Sequence, residues 1–344
     1  MQTEVILPKH VPIAYSTRGD AVENVFYGSV AVVGRDGKLI AHVGDIEYPV
    51  FTRSALKPLQ ALPLVANPRF GEYGLTSAEI ALLCSSHNGE AVHAETAARL
   101  LAKVGLTESA LQCGSHTPYW YQWNNERPDP DKRWSPLFHN CSGKHSGMLL
   151  QAKLLATAAD HYLDPESPVQ RAIRDAVAYA CGAEDAAAMP WGTDGCSAPN
   201  FAVPLAGLAR AFAWMTRTEA DPRYGAAPKT LFDAMSRHPE MVSGAGRNDL
   251  ALAAAGRGDW ANKVGADGVQ TLASRSRGIG IAAKVSDGNL KALMVAFCSV
   301  LDQLEMLDDQ ARAALAGWAR VPIKSIRGIE VGAIEPHVLL KRGI

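Results

Sequence analysis

The period of apolar and polar positions changes twice along the chain. Residues 14–43 carry the short period of strands. Ser29-Val30-Ala31-Val32-Val33 is β-rich, and Arg35-Asp36-Gly37-Lys38 is a turn leading into Leu39-Ile40-Ala41-His42-Val43. A longer, helical period follows. Leu59, Ala61, Leu62 and Leu64 come after Pro58, and proline is tolerated only near a helix's first turn, so a helix is predicted to start close to Ser54. Thr76-Ser77-Ala78-Glu79 has the form of a capping box. It opens a short helix over 80–84, then a polar loop over 85–90 and a second helix over 91–104, ended by Gly105. Further helices are predicted over 144–159, 168–181, 203–214 and 227–237. Residues 118–136, with Trp120, Trp123, Trp134 and Pro128-Asp129-Pro130-Asp131, read as an irregular loop, either a lid or a surface excursion. Strand character returns over 262–264, 278–285 and 292–297, with Asp287-Gly288 as a hairpin turn between the last two, and 299–315 closes as helix. Strands at both ends around a helical middle predict an α+β fold. One antiparallel sheet is completed by both termini, with a helical lobe over roughly residues 54–240, in a single domain spanning 1–344.

Composition narrows the possibilities. Of 344 residues, 47% are hydrophobic and 20% charged, the balance of a globular protein with a substantial core. Formal net charge is −1 with no long Lys/Arg run, which points away from nucleic acid and anionic membranes as partners. Met1-Gln2-Thr3-Glu4 lacks a basic n-region and no apolar stretch is long enough for a bilayer, so a cytoplasmic location is expected. In a reducing compartment Cys84, Cys113, Cys141, Cys181, Cys196 and Cys298 are expected as free thiols or metal ligands.

Three short motifs then stand in a telling order: Ser54-Ala55-Leu56-Lys57, Ser86-His87-Asn88 and Lys263-Val264-Gly265. Serine acyl-transferases of the penicillin-recognising kind carry S-x-x-K, S-x-N and K-x-G in that sequence. Each is common alone; together they supply separate parts of one reaction. Ser54 is the expected nucleophile, with Lys57 one helical turn later reaching its hydroxyl, and Ser86 with Lys263 forms a second hydroxyl–amine pair. A basic Lys57 requires a lowered pKa, from burial or from a neighbouring ammonium such as Lys263. Two glycine-bearing polar segments, His139-Asn140-Cys141-Ser142-Gly143-Lys144-His145 and Gly192-Thr193-Asp194-Gly195-Cys196, each hold a cysteine in a tight turn. Cys-x-x-Lys with a distant Cys is not a standard zinc pattern. By spacing alone, His145 or Asp194 is a more ordinary ligand than Lys144, and the glycines also serve a turn that needs no metal.

Arg53-Ser54-Ala55-Leu56-Lys57-Pro58, Ser85-Ser86-His87-Asn88-Gly89-Glu90, Asn140-Cys141-Ser142-Gly143-Lys144-His145, Asp194-Gly195-Cys196 and Lys263-Val264-Gly265-Ala266-Asp267-Gly268 together resemble the rhizobial-type, or class 3, L-asparaginases of the asparaginase II family. The resemblance spans nearly the whole chain. It implies a fold similar to serine β-lactamases and serine-dependent glutaminases, a homodimer, Ser–Lys pairs at Ser54–Lys57 and Ser86–Lys263, and zinc held by Cys141, Lys144 and Cys196. The implied reaction is hydrolysis of L-asparagine to L-aspartate and ammonia. Competing expectations are a glutaminase or other small-amide hydrolase, and a catalytically silent amino-acid or zinc-binding protein. Lys284 competes with Lys263 for the second pair, and the K-x-G context favours Lys263. Arg53, His145 and Asp194 are the candidates for gripping the α-carboxylate and α-ammonium of an amino-acid substrate.

Overall fold

Successive residues of the long strand Ala21–Gly34 enter different cores: Val30 and Val32 pack in one cluster, Ala31 and Val33 in the other. A strand buried on both faces must have layers above and below it. In the computed structural model, which describes residues 6–343, this strand runs through an antiparallel nine-stranded sheet. The order is Val321–Lys324, Glu330–Pro336, Val11–Arg18, Ala21–Gly34, Ile279–Val285, Val269–Ser274 and Trp260–Gly265. Leu39–Val43 pairs with Ala21–Gly34 and, on its other side, with Lys341–Arg342. The two ends of the chain meet inside the sheet, Ser16 lying opposite Ile334. The expected α+β architecture with a sheet completed by both termini is what the chain adopts. Met1-Gln2-Thr3-Glu4 lies outside the described residues.

Helices Leu290–Gln303 and Asp309–Ala319 cover one face of the sheet, and Leu205–Met215 covers the other. Gly280 permits that second contact, because a side chain there would run into the backbone at Ala209 and Ala213. The helices Lys57–Val65, Ser77–Leu83, Ser142–Leu154, Pro168–Cys181 and Ala227–Arg237 pack beyond it. A small second sheet joins Pro49–Phe51, Pro199–Pro204 and Trp191–Thr193. Among the described residues no helix is long and apolar enough to cross a membrane.

Local signals were followed where they were specific. Thr76 and Glu79 form the reciprocal capping box, with Glu79 N–H to Thr76 Oγ1 at 3.2 Å and Thr76 N–H to Glu79 Oε2 at 2.8 Å. The strand expected over 292–297 is instead part of the helix Leu290–Gln303, which Asn289 caps by accepting the Ala292 N–H at 3.0 Å. Ala292 through Phe297 are fully buried, and a short run apolar on every side carries no period to tell a strand from a helix. The helix expected over 299–315 is two helices, interrupted at Glu305 (φ 55°) and restarted by Asp308, which accepts the Ala311 N–H at 2.8 Å.

Candidate active site

Ser54 sits in a single 3-10 turn, Arg53–Leu56, that feeds the helix Lys57–Val65, with Pro58 in its first turn. Thr52 anchors the entry, its hydroxyl donating to the Phe201 carbonyl at 3.0 Å. The third motif closes on this turn from the sheet: Gly265 ends the strand Trp260–Gly265 where an added Cβ would stand 2.6 Å from the Thr52 carbonyl oxygen and 3.3 Å from the Ala55 nitrogen. Glycine in K-x-G is therefore a requirement of close approach. Ser86 follows the helix Ser77–Leu83, tied down by its N–H to the Val242 carbonyl at 2.9 Å. Ser54 and Ser86 open on one cleft of about 310 Å³, walled also by Tyr119, Trp123, Asn140 and Arg247.

Lys57 is buried at 1% exposure, and its Nζ lies within hydrogen-bonding distance of four groups, Ser86 Oγ at 2.8 Å, Ser85 O at 2.6 Å, Asn140 O at 3.4 Å and Cys141 Sγ at 3.1 Å, more than its N–H donors can serve at once. The hydroxyl it engages is thus Ser86, where the spacing predicts Ser54. A buried lysine amine needs acceptors for its N–H groups, and the carbonyls beside Ser86 offer them. Burial lowers the Lys57 pKa and Lys144 lowers it further, against the pull of the Cys141 and Cys196 thiols. Lys263, with no exposure, donates to the Val264 carbonyl at 2.8 Å and lies 3.6 Å from Asp249 Oδ2. Burial pulls it down to about 7, opposed by Asp249 and assisted by the charges of Lys57 and Arg247. Its hydrogen-bond partner is a backbone carbonyl, not the Ser86 hydroxyl. Lys284 lies in a different cavity, with its Nζ on the Asp267 carbonyl at 2.8 Å.

Beneath the serines, Cys141, Lys144 and Cys196 converge. Lys144 Nζ is 2.8 Å from Cys196 Sγ, and all three side chains are buried. The Cys141 thiol is held well below its ordinary pKa, first by a hydrogen bond with Cys196 and then by Lys57 and Lys144, although burial opposes this. Among the described residues no three His, Cys, Asp or Glu side chains are grouped to hold a metal; this cluster counts two such donors and a lysine. Gly143 lets the helix Ser142–Leu154 approach, since a Cβ there would meet the Leu82 carbonyl.

The three residues expected to grip substrate are placed apart from the serine cleft. Arg53 Nε donates to Asp194 Oδ1 at 2.8 Å, and its guanidinium also pairs with Asp267. Arg53 and Asp267 both hold left-handed backbone (φ 49° and 54°), a strained conformation for non-glycine residues that the ion pair helps to fix. Arg53 and Asp194 line an adjoining cavity of about 600 Å³, and Asp267 belongs to both walls. His145 is fully buried, bonded through Nδ1 to the Tyr162 hydroxyl at 2.7 Å, and burial pushes it down to about 4, so the ring is neutral.

Sequence reasoning missed Asp249 and Arg247. Asp249 accepts from Asn262, Val264 N–H and Gln270 as well as facing Lys263. Burial alone would raise its pKa, but Lys263, the Val264 N–H, Arg247 and Gln270 hold it lowered. Arg247 was detectable only as one of many charges, because the loop that carries it has no motif. The aromatic, proline-rich 118–136 segment is part wall: its short helix Tyr119–Trp123 faces the cleft.

A lysine buried against one serine, with a second serine on the same cleft, is equipment for acyl transfer from an amide or ester. The chain belongs to the L-asparaginase II family, whose model matches residues 14–336, and it is an amidohydrolase. Among curated proteins none matches. Similar solved structures include Mglu in its native form, at 12% identity and TM-score 0.46, covering 83% of this chain and 67% of that one. Mglu in its glutamate form is 12% identical at TM-score 0.47, and the chain spans 61% of its length. A β-lactamase from Mycobacterium bovis is 15% identical at TM-score 0.40, covering 85% of this chain and 94% of that one.

Proposed function

We propose that this chain hydrolyses L-asparagine to L-aspartate and ammonia through a β-aspartyl ester on Ser54. The observation that carries the reading is the buried Lys57 Nζ, 2.8 Å from Ser86 Oγ, in a cleft that Ser54 also lines. Its volume of about 310 Å³ suits a single amino acid. Neutral Lys57 takes the Ser54 proton as the hydroxyl attacks the side-chain amide carbon. Ser86, hydrogen-bonded to Lys57, passes a proton to the departing nitrogen, and water then cleaves the ester by the reverse relay. The Ser54–Lys57 contact forms when substrate is bound, as such contacts commonly tighten in the Michaelis complex. Burial and the charge of Lys144 favour neutral Lys57.

Cys141, Lys144 and Cys196 would hold zinc. Their donors suit a thiophilic ion, and His145 Nε2 beside them is a buried polar atom without a partner. Such an ion would supply Lewis acidity to orient water or substrate next to the serines. The family also leads us to infer a homodimer in the cytoplasm, which sedimentation and cell fractionation test. Ammonia release from asparagine and glutamine, assayed side by side, tests the activity. Mass spectrometry of the trapped acyl-enzyme tests the nucleophile, and an adduct on Ser86 alone would overturn the assignment to Ser54.

A further inference from the structure

An amino-acid substrate brings an α-carboxylate into the cleft, and the cations expected to meet it are engaged elsewhere. Arg53 is spent on Asp194 and Asp267, and Lys284 faces the other cavity. Among the described residues that wall the serine cleft, Arg247 is the only cation.

Arg247 is 8% exposed, and its Nε is buried without a hydrogen-bond partner. Among the described residues it makes no direct ion pair: the charge of Asp249, two positions on, reaches it from a distance, while that carboxylate faces Lys263 at 3.6 Å. Its guanidinium lies 5.9 Å from the Tyr119 ring centre and 5.6 Å from that of Trp123, and one terminal nitrogen donates to the Ser86 carbonyl. A buried guanidinium with an unused donor and no directly paired carboxylate is costly to keep, and it is a ready partner for a bound carboxylate. The loop carrying it is fastened to the Ser86 motif: Asn88 Nδ2 donates to the Ala245 carbonyl at 2.8 Å, and Ala245 N–H donates to Glu90 at 3.1 Å. Arg247 is therefore held at a fixed place relative to Ser86.

We propose that Arg247, backed by Tyr119 and Trp123, binds the α-carboxylate of the substrate and so restricts the enzyme to amides of α-amino acids. The inference rests on the amide-hydrolase reading above and adds the residue that sets its substrate class. Removing the interaction costs one charge-assisted hydrogen-bond pair, so Arg247→Gln should raise KM for L-asparagine about 10–100-fold with kcat far less affected. For 3-aminopropanamide, which is asparagine without its α-carboxylate, the same variant should leave kcat/KM within about twofold. Arg247→Lys keeps the charge and loses the fork, so it should fall between the two and serves if the glutamine variant fails to fold.

A binding arm by titration calorimetry separates this idea from the activity itself. L-aspartate should bind the unmodified protein and lose at least about tenfold in Arg247→Gln, while β-alanine is unaffected. Arg247-dependent aspartate binding without amide hydrolysis would sustain the inference and sink the activity. Hydrolysis of asparagine with KM unchanged in the variants would overturn the inference alone. An equal loss on asparagine and 3-aminopropanamide would also overturn it, leaving Arg247 as a prop for the Ser86 carbonyl.

Discussion

Gly265→Ala places one methyl group at the joint between the third motif and the Ser54 turn. The new Cβ would stand 2.6 Å from the Thr52 carbonyl oxygen, 3.0 Å from Val269 Cβ and 3.3 Å from the Ala55 nitrogen. Carbon–oxygen contacts settle at about 3.3 Å or more, so a gap of about 0.7 Å has to open. The φ of Gly265 is not left-handed, so alanine meets no backbone penalty and the whole effect is steric. Neither neighbour yields easily. Thr52 is bonded to Phe201 through both its N–H (3.2 Å) and its hydroxyl (3.0 Å), and Gly265 is paired with Val269 in the hairpin. The Ser54 turn itself must move. Overpacking of this kind costs about 1–3 kcal/mol, and a nucleophile displaced by nearly 1 Å loses about 10²-fold in rate. The checks are urea unfolding and steady-state ammonia release from asparagine. We expect a folded protein with a lowered midpoint and kcat down by about 10–100-fold, the smaller value applying if the strand absorbs part of the shift. A variant with wild-type midpoint and wild-type kcat would show that the K-x-G glycine has no positional role.

Lys263, lowered to about 7 by burial from an ordinary 10.5, makes stability depend on pH. Below about 7 the lysine is protonated in both states; between there and 10.5 the unfolded chain holds a proton that the native protein has lost, so stability rises with pH across that window. Lys263→Met should flatten that rise in urea midpoints, and an unchanged slope would remove Lys263 as its source. Gly143→Ala forces the helix Ser142–Leu154 off the Leu82 carbonyl and should lower the unfolding free energy by about 1–3 kcal/mol, a loss that an unaltered urea midpoint would contradict. The protein should carry close to one zinc per chain with sulfur at about 2.3 Å by X-ray absorption. Chelation should raise KM more than it lowers kcat, and Cys141→Ser should retain measurable activity; a zinc-free protein with normal KM and no turnover would put the metal in a different role.

The readable parts of this chain were those where local chemistry dictates geometry. Proline at 58 and 168, the Thr76–Glu79 box and the turn before Leu39 each act over a few residues, and each was followed. The three motifs and the two cysteine turns do meet around one centre. What the sequence could not convey was which hydroxyl Lys57 would choose. That depends on carbonyls from Ser85 and Asn140, supplied by segments that are distant in sequence. The same holds for Arg247, whose importance arises only once Asp249 turns to Lys263 and the Tyr119–Trp123 helix folds over the cleft. The helix Leu290–Gln303 failed for another reason: its middle is buried all round and has no polar side to reveal a period.

The meeting of the two chain ends within one sheet has a consequence for biosynthesis. Val11–Arg18 is synthesised long before one of its two neighbours, Glu330–Pro336, with Ser16 opposite Ile334. At about 5–20 residues per second, this flank stands open for roughly 15–60 s. Throughout that time the nascent chain presents an unpaired β edge, the surface most prone to mispair with another copy. A ribosome stalled shortly before residue 330 should therefore yield aggregation-prone chains, even though every motif of the active site has already been made.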